Sequence, residues 1–161
     1  MKKLGIALAA FSALSLVITA CGSSSETTDT TVAAAPETAT YTVDSAWARV
    51  SPMEATMGAV YLNVASTLDD ALVGASVSTD IAAMTQVHET LMNADGTMGM
   101  QEIASVPMTA NTPLALAPGG YHVMLLDLIA PLEIGATVSV TLTFASGGTT
   151  TFDAIVSEEA P

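Results

Sequence analysis

From residue 41 onward, apolar and polar residues alternate along the chain in short runs, each closed by turn residues. "YTVDSAWARV" (41–50) opens the series, and "GAVYLNVAS" (58–66) alternates. "TLDD" then turns the chain, and "ALVGASVS" (71–78) alternates again. "MTQVHET" (84–90) runs into "NADG", an Asp-Gly turn signal, and "TMGMQEIASV" (97–106) returns as its hairpin partner. "LAPGG" precedes "YHVMLLDL" (121–128). "ATVSVTLTFA" (136–145), "GG" and "TTTFDAIV" (149–156) form a last hairpin. A period of two places alternate side chains on opposite faces, and no segment sustains a helical period. The pattern therefore predicts an all-β fold, a β-sandwich or Greek-key barrel. Met57, Met84 and Met108 are expected to fill its core, as methionine does in irregular interiors, and Trp47 to sit in the core or at its rim. No internal repeat interrupts the series.

The first forty residues break the alternation. "MKK" is a positive n-region and "LGIALAAFSALSLVITA" an apolar h-region, together a targeting segment rather than part of the fold. It ends with Ala20 directly before Cys21, which resembles the lipobox of bacterial lipoproteins. A lone cysteine, with no internal disulfide open to it, fits that reading. The expectation is a lipoprotein signal peptide over 1–20 with Cys21 lipidated. A flexible tether follows to residue 40, and one domain fills 41–161. The tether, "GSSSETTDTTVAAAPETAT", is too poor in large apolar residues to offset its ordering entropy. An extracytoplasmic protein held to a bacterial membrane, in the periplasm or on the outer face of the cell membrane, follows.

Charge narrows the partners. Sixteen Asp plus Glu stand against three Lys plus Arg, a formal net charge of −13. A chain so poor in cations cannot neutralise phosphates, which excludes nucleic-acid binding. Adhesion to anionic lipid through a basic patch is excluded likewise, leaving the lipid anchor as the only membrane contact. Once Lys2 and Lys3 leave with the signal, Arg49 is the only Lys or Arg remaining.

The candidate chemistry lies in two histidines and several methionines. "HVM" puts His122 and Met124 on one face of a strand, an imidazole beside a thioether. Thioethers are soft ligands that suit Cu(I), and imidazole suits Cu, Zn, Fe and Ni. The acids are scattered without Ca²⁺-loop spacing. No Ser-His-Asp arrangement or cofactor loop is present in the sequence, so catalysis is not expected.

Spacing adds a resemblance. From His88 the chain runs eleven residues to Met100, twenty-one more to His122, and one to Met124. This pattern resembles that of the periplasmic copper chaperone family often called PCuAC, in which a His is often followed by Met. "AWARVSP", "GAVYLNV" and "PGGYHVMLLDL…PLEIGATVSVTLTF" are similar to its framework. The one departure is Glu89, where many members carry Met.

The resemblance implies a cupredoxin-like Greek-key β-sandwich that binds one Cu(I) through His88, Met100, His122 and Met124. It also implies a copper chaperone acting outside the cytoplasm. The acceptor would be the CuA site of cytochrome c oxidase subunit II or another copper chaperone. Storage or scavenging of copper without a dedicated acceptor is the alternative. Met98 shares a strand face with Met100 and is a candidate alternate sulfur. Met53 and Met92 are candidates for a surrounding layer or a transfer path.

Overall fold

A computed structural model describes residues 38–161. The targeting segment, Cys21 and most of the tether lie outside the described residues. Ten strands make up the fold: β1 (Tyr41–Arg49), β2 (Met57–Ser66), β3 (Asp70–Val77), β4 (Ala82–Met92) and β5 (Met98–Glu102), then β6 (Val106–Met108), β7 (Leu114–Leu116), β8 (Tyr121–Leu128), β9 (Thr137–Phe144) and β10 (Thr149–Ser157). No helix occurs among the described residues.

The strands form one ladder in the order β5-β4-β8-β7-β2-β1-β10-β9-β3-β6, with β8 also paired to β2. β1 joins the two halves: it runs antiparallel to β2 and parallel to β10. The ladder curls on itself, so that β3 lies against β4. A single buried cluster collects Val60, Val87, Val123 and Leu125 from one half and Leu72, Val140, Leu142 and Ala154 from the other. This is the cupredoxin-like sandwich, with alternate residues of both layers meeting inside.

The strand pattern reads correctly in outline and differs in detail. The run 97–106 is divided: β5 ends at Glu102 and the chain re-enters the ladder as β6, against β3. β7 is a three-residue strand that the alternation does not announce. Met108 is core, but Met57 and Met84 are exposed. Both lie on the outward face of their strands, because the neighbours Gly58–Val60 and Val87 set the phase of burial. Alternation gives the period; packing decides which phase is inside.

One irregularity positions the site. The β1–β2 register shifts between Asp44 and Trp47, and Ser45 adopts φ 50° there. The extra residue reverses the facing of the strand beyond it. Before the bulge Tyr41 and Val43 pack on the core; after it Ala48 does. Trp47 and Arg49 are thereby turned to the opposite face, beside Tyr61 of β2.

Candidate metal centre

The four residues singled out by spacing fall on three adjacent strands: Met100 on β5, His88 on β4, His122 and Met124 on β8. Register brings them together. His88 is paired with His122, and Gln86 with Met124. On the other side His88 is paired with Glu102 and Thr90 with Met100. Neither ladder slips, so His88, Met100, His122 and Met124 share one face, opposite to the core side of Val87 and Val123. A separation of 34 residues between the histidines in sequence becomes a direct cross-strand pair.

The imidazoles are held by a row of rings. Trp47 and Tyr61 lie with centroids 4.8 Å apart, Tyr61 and His122 6.2 Å, His122 and His88 6.0 Å. His122 is buried. Its Nδ1 lies 3.1 Å from the carbonyl of Gly120, which can only accept, so Nδ1–H donates and Nε2 keeps the lone pair. His88 is held the other way round. Its Nε2–H donates to Gln86 Oε1 at 2.9 Å, leaving Nδ1 with the lone pair. That Nδ1 is buried and has no hydrogen-bond partner.

A buried nitrogen left without a partner is costly, on the order of 1–3 kcal/mol, unless something else engages its lone pair. A metal ion would. With metal–nitrogen bonds of about 2.0 Å and a ring radius of about 1.1 Å, two imidazoles on one ion have centroids roughly 5–6.3 Å apart. The observed 6.0 Å fits. Among the described residues, no three His, Cys, Asp or Glu side chains group as a metal site. The same face carries two thioether sulfurs, those of Met124, which is buried, and Met100, which is exposed.

A cleft of about 510 Å³ opens onto this face. Met100, His122 and Met124 line it, with Met98, Tyr61 and Arg49 around them; His88 is not among the lining residues. Burial foremost, then the neighbouring His122, holds the His88 imidazole below its usual range, against the opposing pull of Glu102. Both causes favour the neutral ring, the form that binds metal.

Several contributors are not visible in the chain read alone. Gln86, the Gly120 carbonyl and Tyr61 act through register and turn geometry. Arg49 is conspicuous in the sequence as a rare cation, but its place on the cleft wall depends on the β1 bulge. Of the residues put forward for a surrounding layer, Met98 lines the cleft, Met92 ends β4, and Met53 is in the exposed loop after β1.

Fold and site together define a class: a cupredoxin-like sandwich with two imidazoles and two thioethers gathered on adjacent strands beside a cleft. Within that class the chain belongs to the LpqE-like family, described as "Putative lipoprotein LpqE-like", whose model matches residues 41–156. A relative from Leifsonia xyli subsp. xyli, "Putative lipoprotein Lxx21020", is 37% identical over 108 residues. That match covers 66% of this chain and 63% of the relative.

Solved structures of similar shape include PCuAC domains. The apo PCuAC domain from PmoF1 is 26% identical with a TM-score of 0.60, over 75% of this chain and 94% of that one. The copper-bound PCuAC domain from PmoF2 is 27% identical with a TM-score of 0.57, over 75% and 93%. The Cu(I) form of DR1885 from Deinococcus radiodurans is 29% identical with a TM-score of 0.55, over 71% and 76%.

Proposed function

We propose that this protein binds one Cu(I) through His88 Nδ1, His122 Nε2 and the sulfurs of Met100 and Met124, and carries it to an acceptor. The observation that carries the reading is the buried, unpartnered Nδ1 of His88, 6.0 Å ring to ring from an imidazole whose own Nε2 is free. Copper-bound and Cu(I)-bound neighbours of the same fold support it. Four neutral ligands around a monovalent ion suit Cu(I) and provide little for Ca²⁺ or Mg²⁺.

Copper is cargo here, not a catalyst. Met100 is exposed and His122 lines an open cleft, so an incoming ligand can reach the ion from one side. Exchange proceeds by replacing one donor at a time, with no change of oxidation state. The acceptor we favour is the CuA site of cytochrome c oxidase subunit II; another copper chaperone is the second. Delivery is tested by mixing the Cu(I)-loaded protein with an apo CuA domain under anaerobic conditions. Copper should appear on the CuA domain within the mixing experiment. Retention of all copper by the donor would favour storage instead.

The lipoprotein descriptions of the family and of the relative support an anchored, extracytoplasmic location. In this reading residues 1–20 are removed, Cys21 carries the lipid, the stretch to residue 40 is a tether, and 41–161 is the copper domain. Cys21→Ser should abolish fatty-acid labelling and leave unprocessed precursor; undiminished labelling would contradict the anchor.

A further inference from the structure

Six methionines of the described residues are exposed: Met53, Met57, Met84, Met92, Met98 and Met100. Methionine is ordinarily an interior residue, as Met108 is here. The β4–β5 hairpin concentrates three of them. Met92 and Met98 are direct register partners, and Met100 follows two residues on, opposite Thr90. The unbroken register puts all three on the face that carries His88. Met92 is 73% exposed and Met98 61% exposed.

Directly opposed residues hold their Cβ atoms about 4.5–5.5 Å apart. Three rotatable bonds let paired methionines bring their sulfurs onto one ion. Met98 and Met100 also line the cleft that holds His122 and Met124. The thioethers are thus placed in sequence from the hairpin tip, where Met92 is paired with Met98, to the cleft that Met98, Met100 and Met124 line.

We propose that Met92, Met98 and Met100 form a second Cu(I) site, made of thioethers alone, at the rim of the cleft. With the tight site filled, Met92 and Met98 hold the second ion; with it empty, Met100 joins them, and by turning from one site to the other it passes the ion between them. An all-thioether set is neutral and has no proton to lose, so it takes Cu(I) in preference to Zn(II) or Cu(II), and independently of pH. It lacks the two imidazoles, so it is the weaker of the two. Only the hand-off rests on the His–Met reading; the thioether site stands by itself.

The test is an anaerobic Cu(I) titration of the full chain in detergent, against a strong and a weak chelator. Cys21→Ser is present throughout to remove the thiol. The parent should take up two equivalents, the second at least tenfold weaker. Met92→Leu/Met98→Leu should retain the tight equivalent and lose the weak one, with an unchanged melting curve, since both positions are exposed. His88→Ala/His122→Ala should lose the tight equivalent and keep the weak one. X-ray absorption on that copper should show sulfur neighbours only, and this arm decides should the leucine variant fail to fold. A parent that binds a single equivalent, a leucine pair that keeps both, or a leucine pair that loses the tight one while folded would each overturn the thioether site. A parent with the weak equivalent but no tight one would overturn the His–Met centre and leave the thioether site standing.

Discussion

His88 and His122 keep their lone pairs on different ring nitrogens, Nδ1 and Nε2, and each is fixed in that tautomer by one hydrogen bond. Gln86 Oε1 holds His88, and the Gly120 carbonyl holds His122. Outer partners of this kind orient a ligand and raise its basicity, and their loss typically costs about 10–100-fold in metal affinity. Gln86→Leu should therefore weaken Cu(I) binding by about 10–100-fold while leaving the fold intact, read by chelator competition beside a melting curve. Unchanged affinity would mean that the Gln86 contact does not set the ligand.

In the proposed site, protonation competes with copper at the same nitrogens. An ordinary imidazole titrates near ~6.5, and burial keeps His88 below that. Cu(I) affinity should be nearly flat above pH ~7 and fall below about 6. The depressed value also bears on the apo protein. The unfolded chain takes up the proton more readily than the native one. Stability from His88 is thus present above ~6.5 and lost as pH falls through the lowered native value. A pH series of competition titrations checks the binding limb; affinity constant down to pH 4.5 would contradict histidine ligation.

The strands hold this geometry, and the sequence shows them unevenly. The runs that become β4 and β8 are legible by alternation, and so is the Asp-Gly turn between β4 and β5. The spacing of His88, Met100, His122 and Met124 is legible as a pattern, but the pairing of His88 with His122 is a property of register between distant strands. The phase of burial is not legible either. Met57 and Met84 read as core because methionine usually is, yet their strands turn them outward. The bulge at Ser45, which moves Trp47 and Arg49 to the site face, rests on a single left-handed residue with no distinctive sequence around it.

The other end of β1 is pinned differently. Tyr41 stacks on Phe144 at 3.7 Å and donates to Asp70, whose carboxylate also accepts from Ser146 Oγ and from the backbone N–H of Ala71 and Ser146. Burial alone would raise the Asp70 pKa; these four donors outweigh it and bring it down to about 2. The stabilisation is present above the ordinary carboxylate range of ~3.9 and is lost as pH falls towards 2. Asp70→Ala should cost roughly 1–3 kcal/mol in urea unfolding at neutral pH, and the deficit should shrink in acid. A variant as stable as the parent would show that the cluster contributes nothing net.

At the scale of the whole molecule, an acidic sandwich carries His88, Met100, His122 and Met124 on one face, away from the core. The core cluster that joins the two layers contains none of the four proposed ligands, so in the proposed reading binding and folding are separable. Methionine substitution exploits this, because leucine keeps the volume and apolarity but has no lone pair for copper. As packing changes, Met100→Leu and Met124→Leu should cost under about 1.5 kcal/mol each. Met108→Leu, in the core, is the control: it should cost a similar amount and leave copper binding untouched. The most direct measurement is an anaerobic competition titration of the Met100→Leu/Met124→Leu double variant with a coloured Cu(I) chelator, with a melting curve for each protein. The double variant should remain folded and lose the tight Cu(I) equivalent. A folded double variant that competes for Cu(I) as well as the parent would contradict the His–Met centre and reduce the "HVM" face to packing.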